Sequence, residues 1–446
     1  MPSLPPGPRS TLISSFDLGL GPVHALARAH ARYGDPFALP TFNGSLILTA
    51  RPELIGEVLT QKDTELFEPF ADDTLSPFFG THSLLLIKGE THRRERRLLM
   101  PPFHGERMRA YGATMAEVAR EAVAALAPGQ AFRAIDLGME ISLEVIVRAV
   151  FGVEGRAQVD EHLAALKATL DATSPFFLFG KAFQRAPFGL GPWARYEASS
   201  ARVDRLLFDQ IERVRPRAAE RTDILSLMVA ARYDDGSSMT PQQIRDELRT
   251  LLIAGHETTA ITLAWAFELI HRHPHVRDRL LAELDAAGDA PDELAKLPYL
   301  TAIVDETLRL RPVVEMVARK LRRPWTFAGY DLPTGATIAP AISLVHMRPD
   351  LYPDPLQFKP ERMLEKKPGP FEYMPFGGGN RRCLGAAMSH YESCIVLATA
   401  LRGFRFALRE PEPVPFARRT FTVGPKTGVR MEMLGVRREA ALRNVA

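Results

Sequence analysis

Apolar positions recur at helical spacing over most of this chain. A three-to-four-residue period predicts helices over 22–33, 90–99, 108–126, 137–150, 193–214, 241–273, 299–310 and 385–401. The longest stretch, 241–273, opens with Thr240 as a side-chain cap and Pro241 at the first helical position. At about 1.5 Å per residue its roughly 30 residues reach ~45 Å, enough to cross a whole domain. Strand-like character is confined to short runs: 37–39 and 46–48 flank an Asn43-Gly44 turn, and 317–321, 337–341 and 404–436 follow later. The segment 349–375 is rich in proline and has little periodicity. The fold class is therefore mainly α with a smaller β part. No linker divides the chain, so a proline-rich lead-in over 1–21, extended in polyproline fashion, is expected to precede one domain over 22–446.

Composition narrows the class. With 446 residues, a net charge of +3 and 46% apolar residues, the chain is neither disordered nor built to bind nucleic acid. Two cysteines cannot staple a secreted scaffold of this size. The apolar run at 261–270 is interrupted by Thr262 and Glu268, too short and too polar to span a bilayer. The first residues lack a charged region followed by an apolar one, so no signal peptide is expected and a cytoplasmic location is.

The segment from Phe376 to Gly385, Phe-Gly-Gly-Gly-Asn-Arg-Arg-Cys-Leu-Gly, carries the most chemistry. Its glycines permit turns closed to other residues. Cys383 directly precedes a predicted helix, whose N-terminal N–H groups favour an anion, and Arg381 and Arg382 add positive charge. Such surroundings suit a thiolate. No base lies close except His390, and His390 with Cys394 cannot complete a zinc set. A single thiolate on an iron otherwise held by a porphyrin fits the count.

Phe376, Gly379, Arg381, Cys383 and Gly385 resemble the haem-binding loop of the cytochrome P450 monooxygenases. Glu306 and Arg309, one turn apart on a helix, and Arg362 downstream resemble the family's buried triad beneath that loop; Met363 stands where phenylalanine is frequent. Ala254-Gly255-His256-Glu257-Thr258-Thr259, midway along the longest helix, resembles its oxygen-binding groove, a locally opened helix bearing an acid–alcohol pair. His92 and Arg96 share a helix face and resemble the family's propionate ligands. The match extends from about residue 22 to the C-terminal strands.

The resemblance implies a triangular prism of about a dozen helices, with haem b between the long helix and the cysteine-loop helix. It implies Cys383 as axial ligand, His92, Arg96, Arg319 and Arg381 on the propionates, and Ala254 and Gly255 beside dioxygen. Thr258 would hydrogen-bond the dioxygen and Glu257 relay protons, with His256 structural. Electrons from NAD(P)H would arrive through a ferredoxin or flavodoxin with its reductase, because no part of the chain is left for a flavin or iron–sulfur domain. The basic stretches 88–109 and 359–382 would form the docking face.

Residues 67–87 and 173–193 are the expected lids over the substrate. They hold Phe67, Phe70, Phe78, Phe79, Leu84, Leu85, Leu86, Phe176, Phe177, Phe179, Phe183, Phe188 and Trp193. With Ile253, Val313, Val314, Met316, Phe421 and Val423, these imply a hydrophobic substrate such as a fatty acid, terpenoid or polyketide-like compound, hydroxylated or epoxidised. The stretch from Ser83 to Met108 is similar to the cyanobacterial and myxobacterial branch. A peroxide-driven peroxygenase and a non-catalytic haem-thiolate sensor are the alternatives.

Overall fold

The computed structural model describes residues 4–63, 65–69, 72–103, 106–174, 176–177, 181–419 and 421–437. Phe70 and Phe179 lie outside the described residues. The long helix, Pro241–Arg272, runs through the centre. Its start is fixed by a reciprocal capping box, in which Thr240 and Gln243 satisfy each other's backbone N–H groups. From Ala260 to Ile270 every residue is buried, Thr262 and Glu268 included, so this half of the helix lies wholly within the core. Helix Ala134–Val145 packs closest against it: a Cβ added to Gly138 would sit 3.0 Å from the Ala260 Cα. Helices Glu106–Ala124, Pro192–Val214, Pro298–Leu310 and Ala386–Gly403 enclose the same core.

The largest sheet has five strands in the spatial order Phe37–Thr41, Gly44–Thr49, Thr337–Pro340, Arg319–Leu321 and Phe67–Glu68. The first two form the hairpin expected at Asn43-Gly44, pairing Thr41 with Gly44. The second pairs in parallel with 337–340, Leu46 opposite Thr337. A three-stranded sheet joins Ala131–Arg133 and Phe404–Leu408 to the two edges of Arg430–Val436.

The fold departs from the sequence expectation in several elements. Residues Thr11–Leu20 of the lead-in are an α-helix, capped by the Ser10 hydroxyl and packed through Leu18. Residues 4–10 before it have no regular structure and touch the sheet edge: the Ala38 N–H donates to the Pro6 carbonyl at 2.9 Å. The helix predicted over 137–150 becomes a π-helical turn at Ile146–Val150. Helices Pro52–Leu59, Arg156–Ala172 and Pro274–Ala286 were not predicted; two of them begin at a proline, the signal that marked the long helix.

Candidate active site

The cysteine loop is built as its glycines require. Gly377 and Gly379 adopt φ values of +66° and +64°, and a Cβ on Gly379 would lie 1.8 Å from the Leu59 carbonyl oxygen. The Cys383 N–H donates to the Phe376 carbonyl at 2.9 Å, closing the loop, and Gly385 caps helix Ala386–Gly403. A Cβ on Gly385 would meet nothing within 4 Å. Cys383 is exposed, whereas Cys394 is buried. Desolvation by the surrounding protein pushes the Cys383 thiol up; the Gly385 N–H, Arg382 and Arg96 pull the other way without prevailing. The thiolate expected from helix and arginines is therefore not secured by the peptide alone, and a metal cation is what would complete it.

Beneath the loop, Glu306 and Arg309 are both fully buried. Arg309 donates from Nε and Nη2 to the two Glu306 oxygens at 2.7 and 2.8 Å. Arg362 Nε and the Lys359 N–H donate to Oε1 at 2.9 and 3.1 Å. The remaining Arg309 protons go to the carbonyls of His346, Pro355 and Gln357. An exposed surface pair, the bland alternative for an i, i+3 Glu–Arg, is excluded by this burial.

His92, Arg96, Arg319 and Arg381 converge electrostatically. Burial, followed by the charges of Arg381, Arg96 and Arg319, lowers His92 to about 3. Arg319 and Arg381 are each lowered to about 10, chiefly by burial. Among the described residues no carboxylate pairs with Arg96, Arg319 or Arg381. Arg381 instead donates to the Ile87 and Leu84 carbonyls at 2.7 and 3.4 Å, and Arg319 to Ala318. Guanidinium groups withdrawn from water without counter-ions are costly, and a ligand with two carboxylates removes that cost. Together with one accessible thiol, this donor set fits haem.

The groove differs from expectation. The long helix is continuous through Ala254–Thr259, not locally opened. Thr258 Oγ1 donates back to the Ala254 carbonyl at 2.6 Å. Glu257 accepts from Arg419 Nε at 3.2 Å and Thr422 Oγ1 at 2.8 Å. Sequence reasoning missed Arg419 and Thr422, which lie about 160 residues away and carry no local signal. His256 is buried, and its carbonyl accepts from Ser142. Space at Gly255 is ample: the nearest atom to an added Cβ is Ile146 Cδ1 at 3.5 Å.

Among the expected pocket residues, Phe78, Phe79 and Phe177 form a buried cluster with Leu86, Trp193 and Tyr196, and Ile253 and Phe421 pack on it. The Phe421 ring centroid lies 5.7 Å from that of Phe79 and 6.3 Å from that of Phe78. Val313 joins the main core, Met316 packs beside the large sheet, and Val423 is buried with its N–H on the Val313 carbonyl. Val314 is half-buried and in none of these clusters. Leu85 is exposed between buried Leu84 and Leu86. Phe176, Phe183 and Phe188 are exposed, so the lid aromatics divide into a buried and a surface set.

The two basic stretches are less positive than their composition. Arg93, Arg94 and Arg97 pair with Glu90, Asp235 and Asp234, while Arg362 is spent on Glu306. Lys366, Lys367 and Arg382 are exposed, without a carboxylate partner among the described residues.

Comparison with known proteins agrees with this geometry. The cytochrome P450 family profile matches residues 2–429. Cytochrome P450 138 of Mycobacterium tuberculosis is 38% identical over 413 residues, covering 92% of this chain and 91% of that protein. Cytochrome P450 135B1 of the same species is 38% identical over 418 residues, covering 90% and 84%. The structure of retinoic acid-bound cyanobacterial CYP120A1 superposes with a TM-score of 0.82 at 24% identity, covering 97% of this chain and 99% of that one. The cytochrome P450DA heme domain gives 0.85 at 24% identity, covering 99% of both. A thiol presented on a glycine loop, unpaired cations around it and a profile match over nearly the full length agree: this chain belongs to the cytochrome P450 family, whose chemistry is haem-thiolate monooxygenation.

Proposed function

We propose that this P450 hydroxylates or epoxidises a hydrophobic substrate, of fatty-acid, terpenoid or polyketide-like type, using electrons from NAD(P)H delivered by a ferredoxin or flavodoxin. The observation that carries the substrate class is the aromatic cluster of Phe78, Phe79, Phe177 and Trp193. Ile253 packs on it and is adjacent in the long helix to Ala254 at the groove. Such walls exclude water and reward apolar surface.

Cys383 would hold the iron, and His92, Arg96, Arg319 and Arg381 the propionates. The haem, when bound, supplies the iron chemistry that activates dioxygen. The rest falls to the chain. Thr258 must turn its hydroxyl away from the Ala254 carbonyl to donate into the groove. Glu257 delivers protons from the Arg419–Thr422 side, and its carboxylate must leave at least one of those partners to do so. Arg382, Lys366 and Lys367 offer an acidic electron donor its positive contact, so reduction should slow as ionic strength rises.

Titration with a library of fatty acids and terpenoids, read by the spin-state change of the iron, tests the substrate class. A library in which only polar or charged compounds shift the spectrum would overturn it. A second reading, oxygen insertion driven by peroxide, draws on the engagement of Glu257 and Thr258 by other groups, because peroxide already carries the protons that relay would supply. Product formation with peroxide alone, compared with NAD(P)H plus partners, separates the two.

A further inference from the structure

The segment Pro77–Leu84 carries Phe78 and Phe79 but has little regular structure after helix Asp72–Phe79 ends. Its hold on the molecule comes from side chains in the first turns of the long helix. Asp246 accepts the His82 N–H at 3.0 Å and faces its Nδ1 at 2.9 Å. Glu247 accepts the Leu84 N–H at 2.7 Å, and Thr250 donates to the Ser83 hydroxyl at 2.7 Å.

Arg249 does more than these. The last carbonyls of a helix have no partner within it, and Arg249 meets two of them: Nε donates to Phe78 O at 2.8 Å and Nη2 to Pro77 O at 2.9 Å. Nη2 also donates to the Tyr196 hydroxyl at 3.0 Å, and that hydroxyl donates to Pro77 O at 3.1 Å. Nη1 contacts Asp204 Oδ1 and Oδ2 at 3.1 and 3.2 Å. Tyr196 and Asp204 both belong to helix Pro192–Val214. One guanidinium, buried to 7% exposure, thus joins the helix of Phe78 and Phe79, the helix of Trp193 and Tyr196, and the long helix. Ile253, one turn further along, lies on the same helix face and touches the aromatic cluster.

We propose that Arg249 is a specificity-positioning residue: it locks both segments that build the aromatic cluster to the long helix, so that this wall of the pocket is shaped before substrate arrives. Phe78 and Phe79 are held through backbone carbonyls, while the helix of Trp193 and Tyr196, whose rings pack on Phe78, is held through Tyr196 and Asp204. A planar fork is needed, because a lysine can face Asp204 but cannot serve both carbonyls and the hydroxyl together. The inference rests on the reading that this cluster lines the substrate pocket of a haem enzyme.

The test uses imidazole and 4-phenylimidazole as probes of the haem-loaded protein, read by the Soret shift. Imidazole needs only the iron; the phenyl group needs the wall. Arg249→Met and Arg249→Lys are expected to lower the affinity ratio of phenylimidazole to imidazole by about tenfold, the size of one lost charged hydrogen bond. The spectrum of the reduced carbon monoxide complex should not change. Deuterium exchange in 76–84 should accelerate in both variants, with or without haem. Phe79→Ala, which removes wall but not clamp, should also lower the ratio. If Phe79→Ala lowers it and neither Arg249 variant does, the clamp is refuted and the pocket reading stands. A ratio unchanged in all three variants refutes both. Should Arg249→Met fail to fold, Arg249→Lys carries the same measurement.

Discussion

Replacing Glu306 by alanine should strand charge in the most buried part of the molecule. The carboxylate receives four donors at 2.7–3.1 Å, from Arg309 twice, Arg362 and Lys359, and both Glu306 and Arg309 have no exposed side-chain surface. Without it, Arg309 keeps its backbone acceptors but loses the carboxylate it pairs with, and Arg362 loses the same partner. Breaking a buried pair by removing one member costs about 3–5 kcal/mol. At about 2.1 cal/mol/K per residue, unfolding all 446 residues carries an entropy of roughly 0.9 kcal/mol/K, so the melting temperature should fall by about 3–5 °C. The effect should also reach the cofactor. Lys359 and Arg362 tie the proline-rich stretch before the cysteine loop to helix Pro298–Leu310, and haem content should drop in proportion. Scanning calorimetry and the pyridine haemochrome assay on the purified variant measure both. A Glu306→Ala protein with unchanged melting and a full complement of haem would refute the reasoning. Replacing Glu306, Arg309 and Arg362 together by apolar residues should cost less than the single change, because no charge is then left behind.

Three further outcomes follow from named contacts. Gly379→Ala should abolish haem binding, since its Cβ would collide with the Leu59 carbonyl at a φ of +64°; normal haem content would contradict this. Glu257→Gln should lower turnover by about 10²-fold or more while leaving the reduced carbon monoxide spectrum intact; unchanged turnover under NAD(P)H would favour the peroxide route. Stability should fall in acid. Burial lowers His346 to about 3 and His256 to about 4, so between the unfolded value of 6.5 and about 4 only the unfolded chain takes up these protons. Their contribution is full above 6.5 and lost on the way down, at about 1.4 kcal/mol per pH unit for each histidine. His346 gives the mechanism: its Nε2 accepts the Met374 N–H at 3.0 Å, which a protonated ring cannot do. Melting temperatures that stay flat from pH 7 to 5 would contradict it.

The sequence made the helical scaffold readable wherever caps and apolar period agreed, as at Thr240-Pro241 and along the long helix. It was misleading at residues 11–20, where a proline-rich start concealed a capped helix. The cysteine loop and the Glu306–Arg309 pair were legible because their chemistry is local: glycines at fixed offsets, and two residues one turn apart. Contacts made across the fold were not. Nothing near Glu257 announces Arg419 or Thr422, nothing near Phe78 announces Arg249, and a count of arginines in 88–109 cannot reveal that Asp234 and Asp235 neutralise two of them. The local opening of the long helix that the family resemblance implied is absent. Gly255 and the paired threonines lower helix propensity, yet the Thr258 hydroxyl satisfies a carbonyl while the helix stays intact.

The parallel pairing of Leu46 with Thr337, and the antiparallel pairing of strand 131–133 with 430–432, have a consequence for biosynthesis. The ribosome releases the chain from its N-terminus, so strand 44–49 emerges almost 300 residues before its parallel neighbour, and strand 131–133 waits for the last part of the chain. The large sheet cannot close until residues 337–340 have emerged, and the sheet of 131–133 cannot close while translation is under way. The early hairpin at 37–49 can form, but it then presents an unpaired apolar edge at Leu46, Ile47 and Leu48 for most of synthesis. Nascent chains stalled before residue 337 should accordingly be protease-sensitive and bound by chaperones, and resistance should arise only once the C-terminal strands are free of the exit tunnel.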